Sequence, residues 1–126
     1  MSRKRWLRVE AAVIGAFLAL AGIALAQDPA VVNAKTIKVR LENARVRVFE
    51  ATLKPGEREQ PHSHPGYVVY VISGGKVRNH LADGTTKDTE FKTGEVVYRD
   101  PLTHWAENIG TTTARFILVE LKEPPR

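Results

Sequence analysis

From Thr36 onward, apolar and polar residues alternate with a period of two. Ile37, Val39 and Leu41 share one face of a first segment, Thr36–Leu41. Residues 44–54, "ARVRVFEATLK", form a second, and Lys54-Pro55-Gly56-Glu57 is a turn. The stretch "EQPHSHPGYVVYVISGG", 59–75, is strand-like. It is followed by strands at 76–81, 86–91, 95–99, 103–108 and 113–121. Ala82-Asp83-Gly84-Thr85 is a hairpin signal of the Asp-Gly kind, and turns are expected at 92–94 and 109–111. The terminal "KEPPR" ends the sheet, because proline cannot donate to a ladder. No segment after residue 27 holds a 3.6-residue period. Eight or nine short strands in about 90 residues predict an all-β sandwich or small barrel. Closure is favoured because it removes exposed strand edges.

The first 26 residues follow a different rule. Arg3, Lys4, Arg5 and Arg8 precede an apolar run, Ala11–Leu25, and Ala24-Leu25-Ala26 is a small-x-small site. This order predicts a signal helix over 1–26, cut after Ala26. The run of 15 residues is short against the roughly 20 needed to span a bilayer. "SRKRWLR" resembles a twin-arginine signal with Lys4 in place of the second arginine, so unfolded export is the expected route. The expected location is periplasmic or extracellular, in a bacterium, with no stable membrane association after cleavage. Residues 27–35 read as a linker, 36–122 as the single domain and 123–126 as a tail.

Charge then changes meaning. The 126-residue chain carries +5. The leader holds four basic residues and Glu10, which leaves +2 on the remaining 100 residues. No clustered basic face is predicted, so nucleic acid is not an expected partner. The chain has no cysteine, which excludes disulfides, a lipid-modified cysteine and thiol catalysis.

Candidate chemistry rests on four histidines: His62, His64, His80 and His104. On a strand, residues i and i+2 project together, so His62 and His64 face one way. Neutral imidazole is a common transition-metal ligand. His80 has the opposite parity to Val77 and Leu81, so it should point away from the core and not be a ligand.

Spacing adds a further reading. Gly56, His62, His64 and Gly75 follow the pattern G-x5-H-x-H with a later glycine, and "GEVVYRDPLTHWAEN" brings Gly94, Pro101, His104 and Asn108. These blocks resemble the two cupin motifs, G-x5-H-x-H-x3,4-E-x6-G and G-x5-P-x-G-x2-H-x3-N. The resemblance implies a double-stranded β-helix, or jelly-roll barrel, whose two motifs meet around one metal. It places His62, His64 and His104 on the three histidine ligands. Alignment on Gly75 puts Val68 where the family carries a glutamate ligand. Asp100 stands where the second motif has proline, and the motif's inner glycine is absent.

Three histidines suit zinc, iron, nickel or copper. If Val68 faces inward, Tyr70 does too, and the two become candidate substrate-binding residues. Trp105 should face outward, and Asn108 should be structural. Arg45 and Arg47 should be solvated. Glu50, Asp100 and Glu120 are the candidate acids beside the metal. The expected function is an exported metal-binding cupin, either an enzyme of oxygenase, isomerase or hydrolase type on a small molecule, or a binding protein without turnover. A metal-free barrel is the remaining alternative. A homodimer is expected, since pairing protects remaining edges.

Overall fold

Nine antiparallel strands run from Ile37 to Leu121 in the computed structural model, which describes residues 27–123. They are β1 (Ile37–Glu42), β2 (Val46–Leu53), β3 (His62–His64), β4 (Tyr67–Ser73), β5 (Gly75–Leu81), β6 (Thr86–Phe91), β7 (Val96–Arg99), β8 (Leu102–Asn108) and β9 (Ala114–Leu121). The predicted signal helix and the last three residues of the tail lie outside the described residues. No helix among the described residues is long and apolar enough to cross a membrane.

The strands form two sheets, ordered β1-β2-β9-β4-β7 and β3-β8-β5-β6. Neighbours in each sheet are mostly distant in sequence, as expected of a jelly roll. The inner faces pack on each other. One apolar cluster joins Ile37, Phe49, Ala51, Tyr67, Val69 and Leu118. The other joins Leu53, Val71, Val77, Phe91, Ala106 and Ala114, drawn from both sheets. Gly56 and Gly94 take φ of +83° and +87°, which only glycine adopts without strain, in the turns ahead of β3 and β7.

Several elements depart from the sequence reading. The 59–75 stretch divides at Pro65-Gly66, so β3 lies in the smaller sheet and β4 in the larger. Leu41 does not share the inner face with Ile37. The β1–β2 register shifts between Val39 and Leu41, and the extra residue turns Leu41 to the outside, paired with Val48. The expected linker contains a short helix, α1 (Pro29–Val32), capped by the Asp28 side chain on Ala30 N at 2.9 Å. Asp28 also pairs with Arg47 at 3.0 Å. Arg47 is therefore not solvated as expected. It shares the inner parity of Phe49 and lies 4.8 Å over that ring. Arg45 is exposed, as expected.

The outer face of the larger sheet is unusually apolar. Leu41, Val48, Val119, Val68 and Tyr98 form one row across five strands, each opposite the next. Ile117, Tyr70 and Val96 form a second row beside it.

Candidate metal centre

Three elements bring the histidines together. β3 presents His62 and His64 on one face, with Ser63 pointing away. β8 pairs antiparallel with β3 and sets His104 directly opposite His62. One ligand nitrogen from each ring lies within 4.8 Å of the others, and all three residues are buried. His80 is not among them. It stacks on Trp105 on the outer side of the smaller sheet, with ring centroids 3.5 Å apart.

The hydrogen bonds behind the rings fix which nitrogen faces inward. His62 Nδ1 donates to the Gln60 carbonyl at 2.7 Å. His64 Nδ1 donates to the Glu120 carboxylate at 2.6 Å. His104 Nδ1 donates to Asn79 Oδ1 at 3.0 Å. The Gln60 carbonyl, the Glu120 carboxylate and Asn79 Oδ1 can only accept, so each Nδ1 carries the proton and each Nε2 keeps its lone pair; the Asn33 amide nitrogen, 3.1 Å from His62 Nδ1, donates to the Gln60 carbonyl instead. This outer set of partners is how proteins orient metal-ligating imidazoles. His104 Nε2 is buried with no hydrogen-bond partner, a state that costs roughly 1–3 kcal/mol unless something accepts its lone pair. The donor set and that orphan nitrogen fit a transition-metal ion.

Burial also prepares the rings. It pulls the His62 pKa down to about 4, with the Gln60 carbonyl opposing. It pulls His104 to about 3, helped by the charges His62 and His64 would carry. Both rings are thus neutral, and able to ligate, throughout the physiological range.

Residues 49–120, more than half the chain, match the family model for the cupin domain. The chain belongs to the cupin family. Among solved structures, it is similar to a cupin domain from Bordetella pertussis Tohama I, with 26% identity, TM-score 0.63, and coverage of 69% of this chain and 92% of that one. A Klebsiella pneumoniae protein with a double-stranded β-helix domain gives 28% identity, TM-score 0.54, and coverage of 69% and 83%. A cupin-family protein from Methanocaldococcus jannaschii gives 20% identity, TM-score 0.57, and coverage of 70% and 80%; at that identity the likeness shows the fold alone. No curated protein matches the chain.

In this cupin the cavity in front of the histidines has a volume of about 70 Å³. Its walls are largely apolar, and its polar side chains include Glu59, Tyr67, Asn79 and Arg99. Val68 and Tyr70 do not reach it. Both face outward, Tyr70 45% exposed, while Tyr67 and Val69 face in. The longer of the two motif spacings puts Val69, not Val68, in the seat of the family glutamate. Pro65-Gly66 shifts β4 by one residue, and a one-residue shift exchanges the two faces of a strand.

The candidate acids separate clearly. Glu50 binds Arg40 and Arg115 at the outer surface, and Asp100 is exposed. Glu120 is buried behind His64 and acts through that ring. The acid that lines the cavity is Glu59, unremarked in the sequence. Its Oε1 lies 4.0 Å from His62 Nε2 and accepts the Ala106 N–H at 2.9 Å. Burial pushes its pKa up to about 7, partly opposed by that N–H. Asn108 is structural, as expected. Its amide donates to the carbonyls of Leu53 and Thr112 and accepts from Gly110 N.

Proposed function

We propose that this cupin is exported and holds one divalent transition-metal ion through His62, His64 and His104, acting on a small molecule in the barrel. The observation that carries the reading is the set of three Nδ1–H groups, each held by an acceptor, with the Nε2 atoms left to converge. Such an ion, when bound by neutral ligands, supplies Lewis-acid or redox chemistry. The chain's own contribution is a small, largely apolar cavity with one carboxyl group at the centre. Glu59 is placed to hold or accept a proton from a bound molecule. The charged n-region, apolar run and Ala26 site support export.

Comparing wild type with Glu59→Gln tests the enzymatic part. Both proteins should bind one equivalent of metal. In a screen of small molecules for turnover, wild-type activity should fall about 10²–10⁴-fold in the variant. Full metal binding with equal turnover in both would remove Glu59 from the chemistry. A wild type that takes up no metal would overturn the reading.

We propose also that a second copy covers the outer face of the larger sheet. At about 4.8 Å per strand the face is about 20 Å wide. Val96, Tyr98 and Tyr70 are 63%, 59% and 45% exposed on it. Contiguous apolar faces of this kind mark protein contacts, and both rows lack charge from β9 to β7. Light scattering should give twice the chain mass for wild type and the single mass for Val96→Lys/Tyr98→Lys. A monomeric wild type would remove the dimer.

A further inference from the structure

Among the described residues Arg99 is a cation without a counter-ion. It is the last residue of β7, on the inner face, opposite Tyr67 in β4. Its guanidinium lines the cavity and lies 5.8 Å from the Phe91 ring centroid. Among the described residues it makes no ion pair, although Arg40, Arg47, Arg58, Arg78 and Arg115 all do; the other arginine without one, Arg45, is exposed to solvent. Tyr67 stands between it and the metal centre, with its ring 4.5 Å from that of His64. The Tyr67 hydroxyl also has no hydrogen-bond partner among the described residues. Two donors therefore face one small cavity, and neither is hydrogen-bonded to its one carboxyl group, Glu59, which accepts the Ala106 N–H.

We propose that this cavity takes a small organic carboxylate, its CO₂⁻ group bound by Arg99 and the Tyr67 hydroxyl, its carbon body toward the histidines. The planar guanidinium matches a carboxylate with two parallel hydrogen bonds. Phosphate fits poorly. The lining holds a single permanent cation, Arg99, and no lysine, which suits one negative charge rather than two. A cationic ligand would meet Arg99 directly. The cavity of about 70 Å³ suits a body of a few carbon atoms, and Val69, Val77, Phe91 and Leu118 suit an apolar one. This deepens the metal-centre reading and rests on it for where the body points, not for the anion site.

Propionate, propionamide and inorganic phosphate are titrated into the full chain, metal-free and cobalt-loaded, with binding followed by calorimetry. Propionate should bind at least tenfold tighter than its amide. Arg99→Gln should bring propionate to the level of the amide, and Arg99→Lys should restore part of the difference. Cobalt uptake, followed by visible absorption, should be the same in Arg99→Gln as in wild type. Equal affinity for propionate and propionamide, wild-type affinity in Arg99→Gln, tighter binding of phosphate, or no binding at all would each overturn the proposal. Should Arg99→Gln fail to fold, the acid-against-amide comparison in wild type decides. Discrimination without cobalt uptake would sink the metal reading alone; cobalt uptake without discrimination would sink this one alone.

Discussion

Replacing His64 with alanine is expected to abolish stoichiometric metal binding. Wild type, loaded and then dialysed, should retain about one equivalent of zinc or cobalt, and His64→Ala close to none. Loss of a direct ligand should exceed the roughly 10–100-fold that loss of an outer partner costs. The same change should appear in stability. A ligand held at a thousand times its dissociation constant stabilises the folded state by about 4 kcal/mol, so added metal should raise the wild-type melting temperature and leave the variant's unmoved. The metal-free proteins must be compared as well. Without the imidazole, the Glu120 carboxylate loses its partner in a buried position, at a further cost of about 1–3 kcal/mol. His80→Ala should bind metal as wild type does, because His80 lies on the far side of the sheet. Full metal retention in His64→Ala would refute the three-histidine centre.

Acid should destabilise the metal-free protein steeply. His62 and His104 fall from an ordinary pKa of 6.5 to about 4 and about 3 on folding. Below pH 6.5 the unfolded chain therefore binds protons that the folded chain refuses. Their contribution to stability is complete above pH 6.5 and is lost as pH falls toward the folded values. Glu59 works the other way. Its pKa rises from 4.5 to about 7, so its contribution is complete below pH 4.5 and is lost as pH rises through 7. Between pH 6.5 and 4.5, two histidines oppose one carboxyl, and unfolding takes up a net proton. Stability then falls by about 1.4 kcal/mol per pH unit. Below pH 4.5 Glu59 no longer compensates, and the slope steepens. About 3 kcal/mol should be lost between pH 6.5 and 4, a large part of a small domain's 5–15 kcal/mol. Urea midpoints of chelator-treated protein at pH 7, 6, 5 and 4 measure this. A flat profile between 6.5 and 4.5 would show that these groups do not titrate as their burial requires.

Alternation was sufficient to read an all-β domain and the shared face of His62 and His64, because both depend on period two within single strands; the jelly roll and the part of His104 came from the resemblance to the cupin motifs. His62 and His64 share a face whatever pairs with β3, and His104 is marked by its motif. The cavity wall was harder to read. Tyr67, rather than Tyr70, faces inward because a Pro-Gly break restarts the alternation, and the motif permits either spacing. Arg99 and Glu59 have no local signature. One reaches the site through the pairing of β7 with β4, the other through the Ala106 N–H of β8. Asn79 did leave a trace, as a polar residue between Val77 and Leu81 on an otherwise apolar face. Its reason is His104, a strand away.

β3 is three residues long, lies at a sheet edge and has one neighbouring strand. Its free flank is held by the segment before the barrel. Ser63 N donates to the Gln27 carbonyl at 2.8 Å, and buried Asn33 grips both the N–H and the carbonyl of Gln60. Residues 27–33 thus act as a splint on the strand that carries two of the three clustered histidines. A shortened chain starting at Ile37 would keep most of its sheet pairing and lose the rigidity of its histidine strand, so the working boundary of the domain lies upstream of its first strand.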